Sequence, residues 1–273
     1  MGIIEKEGMI VLFQEPLRIA AKEVVDIYPE LKAELEKSLR WKLNFRPTIL
    51  LIKSSKVFQS MAGNKLIVAL AIPRRKMVVI DYSKIIFHPF NLRITLKHEL
   101  CHLVLHHYIK ENNLPKWLDE GICQWVSDGI AEILMDKKSM DINKVVLSGS
   151  YIRIKDLTER FPKDEKALLI AYEESKSLVR YIISEFGRNG ILKVLEYLKD
   201  GDEVDEAIVK SLSISFDELE TGWRNHLRKR VIWLTYLGNN LYEILFFIAA
   251  LMTICGFIRS LKKKRVYNNG VSD

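Results

Sequence analysis

Cysteine is scarce in this chain. Its three residues, Cys101, Cys123 and Cys255, show no CxxC pairing, so no disulfide framework is indicated and free thiols are expected. A secretion signal is also missing: Glu5 and Glu7 stand ahead of an apolar stretch of five residues, which is neither the basic start nor the length such a signal needs. Internal repeats and low-complexity segments are absent. So is any charge imbalance over residues 1–223, which hold 33 Lys and Arg against 33 Asp and Glu. That neutrality excludes nucleic acid as a partner, because the net charge of +7 resides entirely in the last fifty residues.

The excess sits in two clusters, Arg224, Arg228, Lys229 and Arg230, then Arg259, Lys262, Lys263, Lys264 and Arg265. Between them, Val231 to Ile258 contains Glu243 as its one charged residue. The stretch Ile244 to Ile258 is shorter than the about 20 residues of a bilayer core, but Leu241 and Tyr242 extend it. Cationic flanks and an aromatic belt of Trp233, Tyr236 and Tyr242 predict a single membrane helix contacting lipid over residues 231–260, followed by a basic tail at 261–273. The competing reading is a buried core helix or an oligomer contact. Both flanks are basic, so the charge rule does not fix topology, while free thiols favour a domain on the cytoplasmic side.

At 273 residues and 48% hydrophobic, the chain is long enough for one substantial domain, placed at residues 9–230, with an accessory element. Met9 to Phe13 reads as a strand, Pro16 opens an amphipathic helix running to about Arg40, and Pro47 to Lys53 is a buried strand. A short helix over Ser54 to Met61 closes at Gly63; Leu66 to Ile72 and Met77 to Tyr82 follow as strands. From Asn91 the pattern is helical: Asn91 to Tyr108, Pro115 to Ser127, Glu165 to Phe186, Gly190 to Lys199 and Phe216 to Arg230, with Gly187 and Gly201 as stops. Strands first and helices after make an α+β domain, a mixed N-terminal sheet followed by a helical subdomain.

Within the first of those helices lies His98-Glu99-Leu100-Cys101-His102, an HExxH motif. At about 100° per residue, His98 and His102 stand about 40° apart and one turn along the axis, so both imidazoles can reach one ion. Leu96, Leu100, Leu103 and Val104 fall on the other side and would face the core. Neutral imidazoles suit zinc, and a catalytic zinc takes three protein ligands with one position left open. A carboxylate beside it, Glu99, is placed to act as general base. Eighteen residues past His102, Glu120 falls at the start of the next helix, which can fold back to supply the third ligand.

HELCH followed by LPKWLDEG resembles the gluzincin metallopeptidases, in particular the small peptidase-MA-like proteins, where a W-L-x-E-G segment carries the ligating Glu. The resemblance extends over most of residues 9–230, including Gly63, the Ala171, Tyr172, Ser175 segment, Phe186-Gly187 and Trp223. It implies a thermolysin-like minimal domain with one zinc per chain held by His98, His102 and Glu120. It further implies an edge strand that holds extended peptide and a peptide or protein substrate. It points to Tyr172 as donor to the developing oxyanion, although helical spacing alone fits a core tyrosine equally well. One departure is Gln124, where larger gluzincins often place an Asp that orients a histidine; Asp119 or Asp128 is left for that role.

His106 lies about 12 Å along the axis from His98 and cannot share its ion, and no Gly interrupts the helix as a metzincin requires. His106 and His107 are expected at the surface of the helix end, Cys101 as a buried small hydrophobe, and His88 in a loop. Arg93, Lys97 and the extra histidines keep the motif helix out of a bilayer, which excludes a site-2-type intramembrane protease. The expected activity is that of a membrane-anchored zinc metallopeptidase; the alternative is an inactive peptidase-like scaffold tethering a partner at the membrane.

Overall fold

The computed structural model describes residues 1–6, 8–63, 67–85, 91–128 and 151–269, the last stretch as backbone alone at 231–239, 241, 243, 244 and 260–269. Its residues fall into two units, Met1–Arg224 and Asn225–Asp273.

The first unit opens with a five-stranded mixed sheet in the order β1-β2-β3-β5-β4, formed by β1 (Gly2–Lys6), β2 (Met9–Phe13), β3 (Thr48–Ile52), β4 (Ala69–Ile72) and β5 (Met77–Asp81). The β1–β2 and β4–β5 pairs are antiparallel, whereas β2–β3 and β3–β5 are parallel. Alternation along β2 drives Met9, Val11 and Phe13 into the core, while the inner strand β5 buries Val78, Val79, Ile80 and Asp81. A strand flanked on both sides and covered on both faces reads as a continuous apolar run. Leu66, where the fourth strand was expected to begin, lies outside the described residues, and β4 itself starts at Ala69. The strand β1 precedes the expected domain start at residue 9. Glu5 and Lys6 on an exposed edge strand erase the apolar alternation that would have announced it.

Helix α1 (Arg18–Leu39) connects β2 to β3 and lays Ala21, Val24, Tyr28, Leu31 and Leu35 inward, a stripe at helical spacing. Helix α2 (Ser55–Ala62) ends at Gly63, whose φ of 67° supplies the left-handed cap. After a single turn, α3 (Tyr82–Ile85), comes α4 (Leu92–Tyr108). The Asn91 side chain caps α4, accepting from the N–H groups of Arg93 and Ile94, a contribution of about 1 kcal/mol. Arg93 pairs with Glu30 at 2.8 Å and Lys97 with Glu34 at 2.6 Å, which ties the first turns of α4 to α1.

Helix α5 (Lys116–Ser127) packs on α4 and on α6 (Glu165–Asp200). Gly187 interrupts α6 with φ 71° and ψ 169°, so two helical segments meet at the glycine read as a stop. Helix α7 (Val204–Leu212) has no counterpart in the sequence reading; it buries a narrow stripe of Ala207, Ile208 and Leu212. Helix α8 (Phe216–Asn239) begins in the first unit, where Trp223 is fully buried and donates to Ser177 Oγ at 3.1 Å. The strands-then-helices order makes this an α+β fold.

The second unit contains the end of α8 and α9 (Leu241–Asn269). Among the described residues, no helix is long and apolar enough to cross a membrane. The spanning helix expected over 231–260 is therefore not found. Two helices divide the segment at Asn240, and the apolar run Ile244 to Ile258 falls short of the about 20 residues a bilayer core requires. The side chains of Trp233, Tyr236 and residues 260–269 lie outside the described residues, as do residues 270–273. Tyr242, Phe246, Phe247, Met252 and Phe257 are exposed along α9.

Candidate metal centre

The geometry of the centre follows from how α4 and α5 are anchored. On α4, Leu96 and Leu100 are fully buried, with Leu103 and Val104 nearly so, and this leaves His98, Glu99 and His102 on the side facing α5 and β4. On α5, Trp117 and Leu118 are completely buried, and each contributes roughly 1.5–3 kcal/mol of burial. The next two residues, Asp119 and Glu120, are thereby turned toward α4. The first N–H of α5, at Lys116, donates to the carbonyl of Thr158 at 2.7 Å, which satisfies one of the helix's open donors. Close packing continues on the far side. A Cβ at Gly121 would lie 2.6 Å from the Ser175 carbonyl oxygen and 2.6 Å from Val179 Cγ2, so only glycine lets α5 approach α6 at this point.

Nε2 of His98 and Nε2 of His102 face each other at 3.0 Å. Oε2 of Glu120 stands 3.4 Å from the first and 3.5 Å from the second. Donor atoms about 2.1 Å from one ion at tetrahedral angles are roughly 3.4 Å apart. The three side chains, all buried, thus fit a single zinc and supply the nitrogen and carboxylate donors it prefers. The carboxylate that was expected to fold back does so.

Asp119 is the acceptor behind His102: Nδ1–H of His102 donates to Asp119 Oδ1 at 2.6 Å. That fixes the imidazole with Nε2 toward the other donors. Asp128, the other candidate for this role, is an exposed left-handed cap at the end of α5. Gln124, at the position where the resemblance leads one to look for an Asp, instead donates from Nε2 to the Tyr172 carbonyl at 3.3 Å. His106, expected at the surface, is half-buried. Its Nε2 lies 3.1 Å from Asp119 Oδ2 and it faces the same cavity, because Asp119 reaches one turn further along α4. His102, His106 and Asp119 form a second group of three metal-capable side chains, sharing His102 with the first. His107 is exposed, with its ring 4.9 Å from that of Phe45. Cys101 and Cys123 are buried free thiols, and Cys255 is exposed and free. His88 lies outside the described residues.

Lys116 was not singled out by sequence. Its Nζ sits 2.7 Å from Glu120 Oε1 and 3.4 Å from Asp119 Oδ2. Spacings of three and four on one helix face are the signal that could have revealed it. Burial works against the charge on Glu120, but the Lys116 ammonium and His102 outweigh it and hold the carboxyl well below its usual range. Asp119 behaves likewise, with His102 and then Lys116 overcoming the effect of burial. Both carboxylates are therefore ionised at neutral pH, as metal ligation and histidine orientation require.

A cavity of about 480 Å³ opens beside these groups. Glu99, His102, Lys116, Glu120 and Tyr172 line one side, and β4 with Pro73 and Arg74 lines the other. Among the described residues β4 pairs with β5 alone, so its outer backbone groups are those of a sheet margin. Tyr172 packs edge-on against Phe161, with ring centroids 4.9 Å apart. At the rim, Arg74 pairs with Glu111 at 2.9 Å.

No curated protein matches the chain. The family model of the peptidase MA superfamily matches residues 80–229, a span that begins at the end of β5 and takes in both metal motifs. By that match, which covers more than half its length, the chain belongs to the peptidase MA superfamily.

Proposed function

We propose that the protein is a zinc metallopeptidase that hydrolyses peptide bonds of a peptide or protein substrate, with His98, His102 and Glu120 as ligands and Glu99 as general base. The observation that carries this reading is the convergence of three donor atoms within ligand spacing on a cavity that Glu99 and an edge strand share. A zinc ion at this position supplies Lewis acidity, polarising a carbonyl and lowering the pKa of a water toward neutrality.

This chain's residues do the rest. Edge strand β4 pairs with extended substrate through its free backbone groups, which sets register while the cavity takes alternate side chains. Glu99 accepts the proton of the attacking water and returns it to the leaving amine. The Tyr172 hydroxyl donates to the oxygen that gains charge as the carbonyl becomes tetrahedral. Asp119 keeps His102 in the ligating tautomer.

Membrane attachment through α9 is part of the proposal. Its support is a helix surface that exposes Leu245, Phe246, Phe247, Leu251 and Met252 together, between clusters of Lys and Arg. A continuous apolar surface of this kind marks lipid or partner contact. Recovery in the membrane fraction, lost on deleting residues 241–273, tests it.

The catalytic reading is tested by zinc content of the purified protein with and without His98→Ala, alongside hydrolysis of a fluorogenic peptide library. One zinc per chain, lost in the variant, with cleavage by the parent protein supports it. One zinc per chain with no turnover of any library member favours the scaffold alternative.

A further inference from the structure

Glu120 offers two carboxylate oxygens, and they face different partners. Oε2 looks at the histidine pair, 3.4 and 3.5 Å from their Nε2 atoms. Oε1 is 2.7 Å from the ammonium of Lys116. That ammonium is fixed from a second side by Oδ2 of Asp119 at 3.4 Å, and its own backbone is pinned to Thr158. Lys116, Asp119 and Glu120 share the first turn and a half of α5, so helix geometry itself keeps the three heads together.

We propose that Lys116 is a positioning residue: by claiming Oε1 of Glu120, it makes the carboxylate a one-oxygen ligand. The inference rests on the zinc reading above. With two imidazoles and both oxygens of one carboxylate, four positions around the ion would be filled by protein. A water would then enter only as a fifth donor, whereas a catalytic zinc at rest holds its water in the fourth position. Lys116 prevents this five-donor arrangement through a charge-assisted bond to the second oxygen. The arrangement has a cost in metal affinity, since a cation beside a dication is repulsive. Affinity and turnover should therefore respond in opposite directions when Lys116 is removed. A residue that merely supports the fold would move both downward.

The experiment uses the full-length chain, loaded with zinc for affinity and turnover and with cobalt(II) for its visible spectrum, which is strong for four-coordinate sites and weaker for five-coordinate ones. In Lys116→Met, zinc binding is expected to be unchanged or tighter in chelator competition. The cobalt absorption weakens, and kcat on a fluorogenic peptide library falls about tenfold to a hundredfold. Lys116→Arg, which retains a donor for Oε1, keeps the parent spectrum. A Lys116→Met protein with the parent's spectrum and kcat overturns the proposal, as does one that loses zinc and turnover together. The parent protein is a test independent of the variants, because the proposal gives it two imidazoles, one carboxylate oxygen and one water, and a weak five-coordinate cobalt spectrum there overturns it. If the parent binds no metal, it is the zinc reading that fails.

Discussion

Nδ1 of His102 lies 2.6 Å from Oδ1 of Asp119, the residue immediately before Glu120. One helical turn of α5 thus provides both the third donor of the centre and the carboxylate that orients one of the first two. Consecutive residues on a helix point about 100° apart, and here that angle lets Glu120 reach the Nε2 face of His102 while Asp119 reaches the Nδ1 face. The position four residues after Glu120 is left to Gln124, which ties α5 to the backbone of Tyr172.

Asp119→Ala is expected to weaken zinc binding or turnover about tenfold to a hundredfold, the usual effect of removing an acceptor behind a ligating histidine. Competition with a chromophoric chelator measures the affinity. An unchanged affinity and unchanged turnover would remove Asp119 from the orienting role.

Glu99→Gln keeps the size of the side chain and abolishes its basicity. The expected result is one zinc per chain as in the parent, with turnover lower by about 10²–10⁴-fold. Elemental analysis and a peptide assay on the same preparation check it; appreciable turnover in the variant would assign the base elsewhere.

Gly121→Ala places a methyl group 2.6 Å from the Ser175 carbonyl and from Val179 Cγ2. Backbone cannot yield as a side-chain tip can, so α5 must shift away from α6 and carry Glu120 with it. A loss of about 1–3 kcal/mol in stability is expected, with weaker metal binding, measured by denaturant unfolding and chelator competition. A variant as stable as the parent would show that the two helices have room to adjust.

Glu174 gives a pH dependence. Burial pushes its carboxyl up to about 8, against the opposing influence of the Ile152 N–H and Arg224. The folded-state value lies above the ordinary 4.5, so the stability of the protonated form is complete below about pH 4.5 and is lost as pH rises through about 8. At about 1.4 kcal/mol per pH unit the effect amounts to a few kcal/mol. Glu174→Gln should remove that slope. Unfolding midpoints of parent and variant at pH 5 and pH 9 decide it: the parent loses stability relative to the variant at pH 9, and parallel behaviour contradicts the assignment.

The parts of the site carried by local periodicity were readable in the amino-acid order. His98, Glu99 and His102 fall on one side of a helix whose other side is leucine and valine, and Glu120 stands in a W-L-x-E-G segment at the start of the next helix. What was not readable depends on contacts between elements. Asp119 and Asp128 looked equivalent, and only the packing of α5 on α4 separates them. His106 looks like a polar helix end until Asp119 arrives beside it. β1 is exposed and charged, and α7 has a stripe of three buried residues; neither leaves a pattern strong enough to find. The C-terminal segment shows the reverse, an apolar composition that suggested one spanning helix where the chain forms two helices that meet at Asn240.

The proposed reaction depends on one zinc between His98, His102 and Glu120. An anomalous-difference map collected at the zinc edge from crystals of the zinc-loaded protein tests it most directly. The predicted result is a single peak about 2 Å from Nε2 of His98, Nε2 of His102 and Oε2 of Glu120. A peak at the neighbouring group of His102, His106 and Asp119, or no peak near α4 at all, would contradict it.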